Sequence, residues 1–390
     1  MARPVDVAPA GAANLPHSGL GRGWEPAVLL GVTMLLLAFG LVTLYSASSV
    51  LALRQGLPDT YYVARQATGA LAGLGILFAC AAFPYRHWAK LAWPLLWLSV
   101  ILLVVIVLPG TESIAPEIKG ARRWLRLGVT FQPSDVAKIA IVVWTATIAV
   151  RKTEHFGSLT QGLGPFFLIW SLILIPIALE PDLSTACLIG MLGMLVVFAA
   201  GARVGHFVFL GLLVLPFIQR QLAVGFRADR IEAFLNPAAD PAGAGFQVRQ
   251  SLVALGSGGL TGVGFGEGRQ KFGFLPEAHN DFIFAMVGEE WGLLGVAFVL
   301  SLYMIVILVG FRIAGRAPDL FGELLAIGFT SLIALQAVLH MAVGLGLVPP
   351  TGLALPLVSY GRSNLLVTLA ALGILVSVAR SAPGGKGARA

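Results

Sequence analysis

The chain alternates between long apolar runs and polar connections from about residue 25 to residue 379. A helix needs about 20 residues to cross a hydrocarbon core of about 30 Å. This pattern predicts an all-α polytopic membrane protein with about ten transmembrane helices, of which the fourth and sixth are short. The predicted spans are 25–50, 62–83, 88–109, 134–150, 161–180, 183–200, 203–222, 281–311, 320–347 and 353–379.

Composition supports the same class. Hydrophobic residues make up 57% of the chain and charged residues 12%, whereas soluble domains contain about 25% charged residues. The mean hydropathy is +0.87. The first 23 residues are polar, and the first apolar run is long enough to span, so we expect no cleavable signal peptide. Cys80 and Cys187 both lie inside predicted spans, which predicts neither a disulfide nor a metal site.

Basic residues in the short connections predict the orientation. With residues 1–24 as a cytoplasmic tail, 25–379 as the membrane domain and 380–390 as a second cytoplasmic tail, most basic connections lie inside. These inner residues are Arg86, Lys90, Arg151, Lys152, Arg203, Arg312 and Arg316. Both termini of this multi-pass protein are therefore expected in the cytoplasm.

Two substantial polar segments are then external, 110–133 and 223–280. The first is cationic, which favours an anionic ligand over the alternative of a miscounted span; its basic residues are Lys119, Arg122, Arg123 and Arg126. The second is far longer than ordinary connections and contains apolar anchors. Its residues 247–255 show the spacing of a surface helix. We predict a large, partly helical extracytoplasmic loop.

A glycine-rich stretch, 258–268, lies within that loop. It invites interpretation as a phosphate cradle, but no strand precedes it and no βαβ unit surrounds it. A closely packed turn is the favoured alternative. Arg269 and Lys271 follow at once, and their charges are within reach of a phosphate bound there.

Asp281 is the leading candidate for the catalytic residue, because it stands where a polar loop becomes a long apolar run. An ionisable residue at the edge of a span is a functional-site hypothesis by default. Glu277 and Asp281 are four residues apart and would face the same way in a helix that begins early. The alternative of equal weight is that Asp281 is a helix-capping acid. His279 alone is more often structural.

Arg122 and Arg123 precede Trp124 and Arg126, and Lys138 lies one turn inside the fourth span. Arginine can bind phosphate with two parallel hydrogen bonds, whereas lysine offers a point charge. A pyrophosphate fits such a set. An amphipathic helix that contacts lipid head groups explains the segment 122–126 equally well.

Several blocks together carry a resemblance. They read GARRWLRLG, FQPSDVAKIA, GFQVRQSLVALGSGGLTGVGFGEGRQKFGFLPEAHNDFIFAMVGEE and GLVPPTGLALPLVSYGRSN. In these blocks and their order, from about Ala27 to Ala379, the chain resembles the SEDS family of bacterial cell-wall polymerases, the FtsW, RodA and SpoVE group. The stretch QKFGFLPEAH is more similar to the division-type FtsW branch, or its sporulation relative, than to the elongation-type RodA branch.

The resemblance implies a ten-span glycosyltransferase in the bacterial cytoplasmic membrane that polymerises lipid II, an undecaprenyl-diphosphate-linked disaccharide-pentapeptide. It implies a class B penicillin-binding protein as partner, with other divisome membrane proteins and no nucleic acid. The family's essential external aspartate falls on Asp281, its basic residue before tryptophan on Arg123, its lysine on Lys138 and its PE-x-H acid on Glu277. Arg122 and Lys271 are candidates to assist, and participation of Mg²⁺ or Mn²⁺ stays open.

The chain departs from the family at the family's SYGGSS, which reads Ser359-Tyr-Gly-Arg362-Ser-Asn364 here. Arg362 therefore becomes a further candidate for phosphate contact, or a residue that narrows the cleft. Two rival functions remain, a lipid II flippase and a noncatalytic divisome scaffold. A flippase needs charge at the midplane or access from both faces, whereas the charges here concentrate on the predicted external side.

Overall fold

The computed structural model describes residues 23–117, 121–222, 225–236 and 243–382. Within these ranges twelve α-helices follow one another, joined by turns, loops and one two-stranded hairpin. The helices are α1 Glu25–Arg54, α2 Tyr61–Ala82, α3 Trp88–Val107, α4 Pro133–Lys152, α5 Gly164–Leu179, α6 Leu183–Ala199, α7 Val204–Leu222, α8 Gly225–Leu235, α9 Ala244–Ser257, α10 Ile283–Ala314, α11 Leu320–Gly344 and α12 Arg362–Arg380.

Ten of these helices match the ten predicted spans. Eight are long and apolar enough to cross a membrane, and α7 adds a ninth if its two halves, bent by 46°, count as one span. The tenth, α6, is apolar but has only 17 residues. The prediction of an all-α polytopic membrane protein is confirmed.

The predicted start of the last span was wrong. Residues 353–361 are apolar, yet they form turns, and α12 begins only at Arg362. Pro356 lacks an N–H and disfavours helix at the residue before it, and Leu357 has a left-handed backbone (φ 68°). The segment is nevertheless buried, and the Tyr303 hydroxyl donates a hydrogen bond to the Pro356 carbonyl. Hydropathy alone cannot separate such a buried turn from a helix.

The helix ends gather at two opposite ends of the bundle. At one end Arg312 donates to Glu25 (3.0 Å), Tyr85 donates to Asp319 (2.7 Å) and Arg380 donates to the Ala81 carbonyl (3.3 Å). The start of α1 and the finish of α12 therefore lie at the same end. We call the opposite end, where α4 and α12 begin, the site end.

The long loop at the site end is partly helical, as predicted, in the residues that the structure describes. It contains α8 and α9, and α9 packs on α10 and α11, with the Ser251 hydroxyl donating to the Gly344 carbonyl (2.7 Å). The buried face of α9 is not uniformly apolar. Val248, Ser251 and Ala254 are buried, whereas Leu252 is 45% exposed.

The glycine-rich stretch is a closely packed turn. It hydrogen-bonds to a break in α10 at Gly292, where Val263 N–H donates to the Glu289 carbonyl (3.0 Å) and Leu293 N–H donates to the Gly259 carbonyl (3.0 Å). A Cβ at Gly262, whose φ is +85°, would lie 2.2 Å from the Glu290 carbonyl oxygen. Only glycine permits that approach, so the packing interpretation explains the composition of this stretch.

The segment before α4 contains the described chain's two strands, β1 Leu125–Leu127 and β2 Val129–Phe131, which pair antiparallel. Gly128 (φ +77°) makes the turn between them. The amphipathic helix considered for residues 122–126 is therefore wrong. A glycine that supplies the left-handed turn, with valine, threonine and phenylalanine after it, favours a hairpin.

Candidate functional site

The first turn of α12 contacts three different neighbours at the site end. Ser363 accepts a hydrogen bond from the Gln132 N–H (3.0 Å), and the Asn364 amide oxygen accepts one from Lys138 Nζ (3.3 Å). Arg362 instead packs on α2, where a Cβ at Gly69 would lie 3.1 Å from its Cγ. The start of α12 thus stands between Lys138 of α4 and the first turns of α2.

Lys138 lies in this junction with its charge already paired. Its Nζ is 2.7 Å from Asp135 Oδ1, one turn earlier on α4, and the two side chains are 4% and 6% exposed. Pro133 at the first turn of α4 sets the helix start. The pair is buried beside Asn364, so either partner alone would be an uncompensated charge in a dry site.

Arg123 binds the tight connection between α5 and α6. Its Nε donates to the Glu180 carbonyl (3.1 Å) and its Nη2 to the Pro181 carbonyl (2.6 Å). Asp182 from the same connection accepts from Gln132 Nε2 (3.1 Å) and caps α6 by accepting from the Thr185 N–H (3.2 Å). These contacts hold Arg123 close to the start of α4, and hence near Lys138.

Glu180 is a buried acid that the sequence reasoning missed. Its side chain is 2% exposed, and neither carboxyl oxygen has a hydrogen-bond partner among the described residues. Burial, reinforced by the nearby Asp182 and opposed by Arg123, raises its pKa to about 9. Glu180 is therefore neutral at physiological pH, and the charge of Arg123 is not cancelled by it.

The raised pKa of Glu180 predicts a pH-dependent stability. The folded protein keeps the proton up to about pH 9, whereas the unfolded chain loses it near the usual value of 4.5. Folding therefore takes up a proton between these values, and stability falls as pH rises across that window. We expect thermal unfolding in detergent to show this slope in the wild type. Glu180→Gln should flatten it, and an unchanged slope would contradict the assignment.

The segment that carries Asp281 is a series of turns rather than the start of a helix. Helix α10 begins at Ile283 and its cap position is Phe282, so Asp281 is not the helix cap. Glu277 has a left-handed backbone (φ 55°). The expectation that Glu277 and Asp281 share one helical face is therefore wrong, because the helix begins later than that reasoning required.

Hydrogen bonds join the Asp281 segment to the residues before α12. The Tyr360 N–H donates to the His279 carbonyl (3.1 Å), and the Ser359 hydroxyl donates to the Asn280 carbonyl (2.8 Å). The predicted residues Asp281, Arg362, Lys138 and Arg123 thus gather around the start of α12. The sequence could not give this arrangement, because it depends on how distant helices pack.

Two other predicted cations have partners elsewhere. Arg122 donates to the Thr111 hydroxyl (2.8 Å) and pairs with Glu112 (3.2 Å), both in its own loop. Lys271 is buried, with its Nζ 3.0 Å from Glu290 Oε1 and 2.9 Å from the Ser46 hydroxyl. Their contacts hold the two polar segments at the site end in place.

The start of α2 holds residues that sequence reasoning overlooked. Gln66 Nε2 donates to the Ser359 carbonyl (3.0 Å), and Gln66 Oε1 accepts from the Gly361 N–H (3.2 Å). Tyr62 and Arg65 lie on the first two turns of α2. The run YYVARQ, with two polar residues early in an apolar span, is the signal that could have indicated them. Within the described ranges, no three His, Cys, Asp or Glu side chains gather as metal ligands.

Fold and site together define a polytopic membrane protein with a charged site at one end of its bundle. The family model described as "Cell cycle protein", for FtsW, RodA and SpoVE, matches residues 26–383. The chain belongs to this family, and the resemblance seen in the sequence is confirmed.

The sequences of relatives match this chain along most of its length. A protein of Geobacter sulfurreducens named "Probable peptidoglycan glycosyltransferase FtsW" is 40% identical over 353 residues, 90% of this chain and 94% of that protein. "Stage V sporulation protein E" of Bacillus subtilis is 38% identical, with 90% of this chain and 96% of that protein covered.

Solved structures share the fold. One, described as "Structural coordination of polymerization and crosslinking by a peptidoglycan synthase complex", has a TM-score of 0.73 at 30% identity and covers 90% of this chain and 96% of its own. The Thermus thermophilus rod shape determining protein RodA has a TM-score of 0.67 at 29% identity, with 92% of this chain and 96% of RodA covered.

Proposed function

We propose that this chain is an inverting peptidoglycan glycosyltransferase that polymerises lipid II on the outer face of the bacterial cytoplasmic membrane, in septal synthesis during division. Its relatives named FtsW support both the reaction and the division role. The observation that carries the proposal is the gathering of Asp281, Arg123 and Lys138 around the start of α12.

The proposed reaction is a single displacement. The 4-hydroxyl oxygen of the acceptor sugar attacks the anomeric carbon of the donor, and the bond from that carbon to the diphosphate oxygen breaks. Asp281 accepts the hydroxyl proton directly or through one water. Arg123 and Lys138 stabilise the charge that develops on the departing diphosphate. Glu277 orients the site. Arg122 and Lys271 hold the loops in place, because they pair with Glu112 and Glu290.

Charge placement favours a polymerase over a transporter. In the described spans, Asp, Glu, Lys and Arg side chains stand within about two turns of a helix end or of the break in α10. A transporter needs polar groups near the midplane that both faces can reach. Of the buried acids in the described residues, Glu25 lies at the end opposite the site end, and the others belong to the site end: Asp135, Glu180, Asp182, Glu289 and Glu290.

Polymerisation of labelled lipid II by the purified protein tests the proposal. We expect long glycan chains, assayed with and without the cognate class B transpeptidase, which we propose as partner. Transport of lipid II across vesicles without any polymer would favour the flippase. Division supported by a protein without either activity would favour the scaffold.

The proposed orientation places the site end outside and both termini in the cytoplasm. After Cys80 and Cys187 are replaced by alanine, a cysteine at Phe274, which is exposed in the long loop, should react with an impermeant thiol reagent added to intact cells. A cysteine at Gly315, exposed at the opposite end, should react only after the membrane is opened. The reverse pattern would overturn the orientation.

A further inference from the structure

Three aromatic rings meet beside the Asp281 segment. The ring centroid of Tyr62 lies 5.1 Å from that of His279 and 5.2 Å from that of Tyr360, and the last two are 5.9 Å apart. Tyr62 and Tyr360 are half-buried, so part of each ring is open to a ligand. We call Tyr62, His279 and Tyr360 the aromatic cluster.

Two arginines flank the aromatic cluster. The guanidinium of Arg65 stacks over the Tyr61 ring, 5.3 Å from its centroid, and Tyr61 in turn contacts Tyr62 edge to face. Burial raises the pKa of Tyr360, and the positive charges of Arg65 and Arg362 oppose that rise. The surface beside the rings is therefore positive.

The aromatic cluster is fixed before any ligand binds. Gln66 bridges α2 to the chain on both sides of Tyr360, and the Tyr360 N–H binds the His279 carbonyl. Each ring therefore stands on backbone that is held by hydrogen bonds from another element. A site organised in this way loses little conformational freedom when it binds a ligand.

Position separates the aromatic cluster from the cations assigned to the diphosphate. His279 is two residues from Asp281, whereas Arg123 and Lys138 are reached through Ser363 and Asn364 on the other flank of the α12 start. A base must reach the acceptor hydroxyl directly or through one water. The group nearest the base should therefore bind the acceptor rather than the leaving group.

We propose that the aromatic cluster, with Arg65 and Arg362, binds the acceptor saccharide and the acidic peptide attached to it. Aromatic faces carry partial negative charge and complement the C–H faces of a sugar ring, while arginine pairs with carboxylates. Convergent polar groups around an aromatic lining are typical of small-molecule sites. This inference rests on the proposed polymerase function.

The test separates acceptor from donor. Lipid II with a blocked 4-hydroxyl can act only as donor. With this blocked donor at a saturating concentration, the concentration of unblocked lipid II is varied to measure the KM for the acceptor. Tyr62→Ala should raise the acceptor KM about tenfold, a change of about 1.4 kcal/mol, and leave the donor KM unchanged. Tyr62→Phe keeps the ring but loses the hydrogen bond from the Tyr62 hydroxyl to Gln55 (2.8 Å), so it should raise the acceptor KM less than Tyr62→Ala does. Phe83→Ala, which removes an exposed ring at the opposite end, is the matched control.

A second arm tests the cations with the same assay. Arg65→Gln should raise the KM for an acceptor with free peptide carboxylates, but not for one whose carboxylates are amidated. The inference is overturned if the wild type polymerises and both Tyr62→Ala and Arg65→Gln keep the wild-type acceptor KM. If these variants also have lower thermal stability, Tyr62 and Arg65 contribute only to the packing of the protein. An equal rise in both KM values also overturns the inference. Wild-type protein that forms no product would instead refute the proposed function.

Discussion

Asp281→Asn should lower the rate of lipid II polymerisation by about 100-fold or more, since loss of a general base typically has effects of this size. Asparagine matches the shape of aspartate and cannot accept the proton. Asp281 lies in turns outside α10 and is not at its cap position. Because asparagine is nearly isosteric with aspartate, membrane insertion, thermal stability and binding of the partner transpeptidase should be retained, and the measurement is glycan chain formation by purified protein.

Two matched variants control for charge and position. Asp59→Asn removes another acid at the site end, one that accepts a hydrogen bond from the Tyr45 hydroxyl (2.9 Å), and activity should stay near wild type. Glu277→Gln should reduce activity less than Asp281→Asn does. Long chains made by Asp281→Asn at the wild-type rate would remove the proposed mechanism, and a greater loss at Glu277 would reverse the two roles.

The lengths of the apolar runs predicted the fold because span length is fixed by the membrane and is visible in sequence. This criterion failed where apolar residues are buried without forming a helix. The stretch before Arg362 was assigned to the last span, although Pro356 and the left-handed Leu357 turn the chain back into the bundle. The break in α10 at Gly292 was missed for the same reason, since hydropathy does not register backbone angles.

The candidate site could be predicted residue by residue but not as an arrangement. Asp281 stood out as a charge at the edge of an apolar run, Arg123 as part of a cationic segment, and Lys138 as a charge one turn inside the fourth span. Sequence could not show that Lys138 is paired with Asp135, or that Lys271 is directed inward to Glu290. Glu180 escaped notice because it stood at the last position of the predicted span 161–180, where a glutamate is easily taken for an ordinary surface acid, and only packing reveals that it is buried.

The paired state of Lys138 gives a prediction that separates folding from function. Lys138→Met leaves the Asp135 carboxylate buried without its partner, and breaking a buried pair in this way typically costs about 3–5 kcal/mol. We expect a lower thermal unfolding temperature and no polymerisation. Adding Asp135→Asn removes the orphaned charge, so the double variant should regain most of the stability.

If Lys138 acts on the diphosphate, that stable double variant should remain inactive, because the cation is still missing. Lys271 and Glu290 form the matched comparison, since their side chains are 4% and 0% exposed and they pair at 3.0 Å. The double variant Lys271→Met with Glu290→Gln should recover both stability and polymerisation, as its contacts are internal. Recovery of polymerisation in the Asp135→Asn, Lys138→Met protein would instead show that Lys138 only supports the fold, and the charge on the leaving diphosphate would then rest on Arg123.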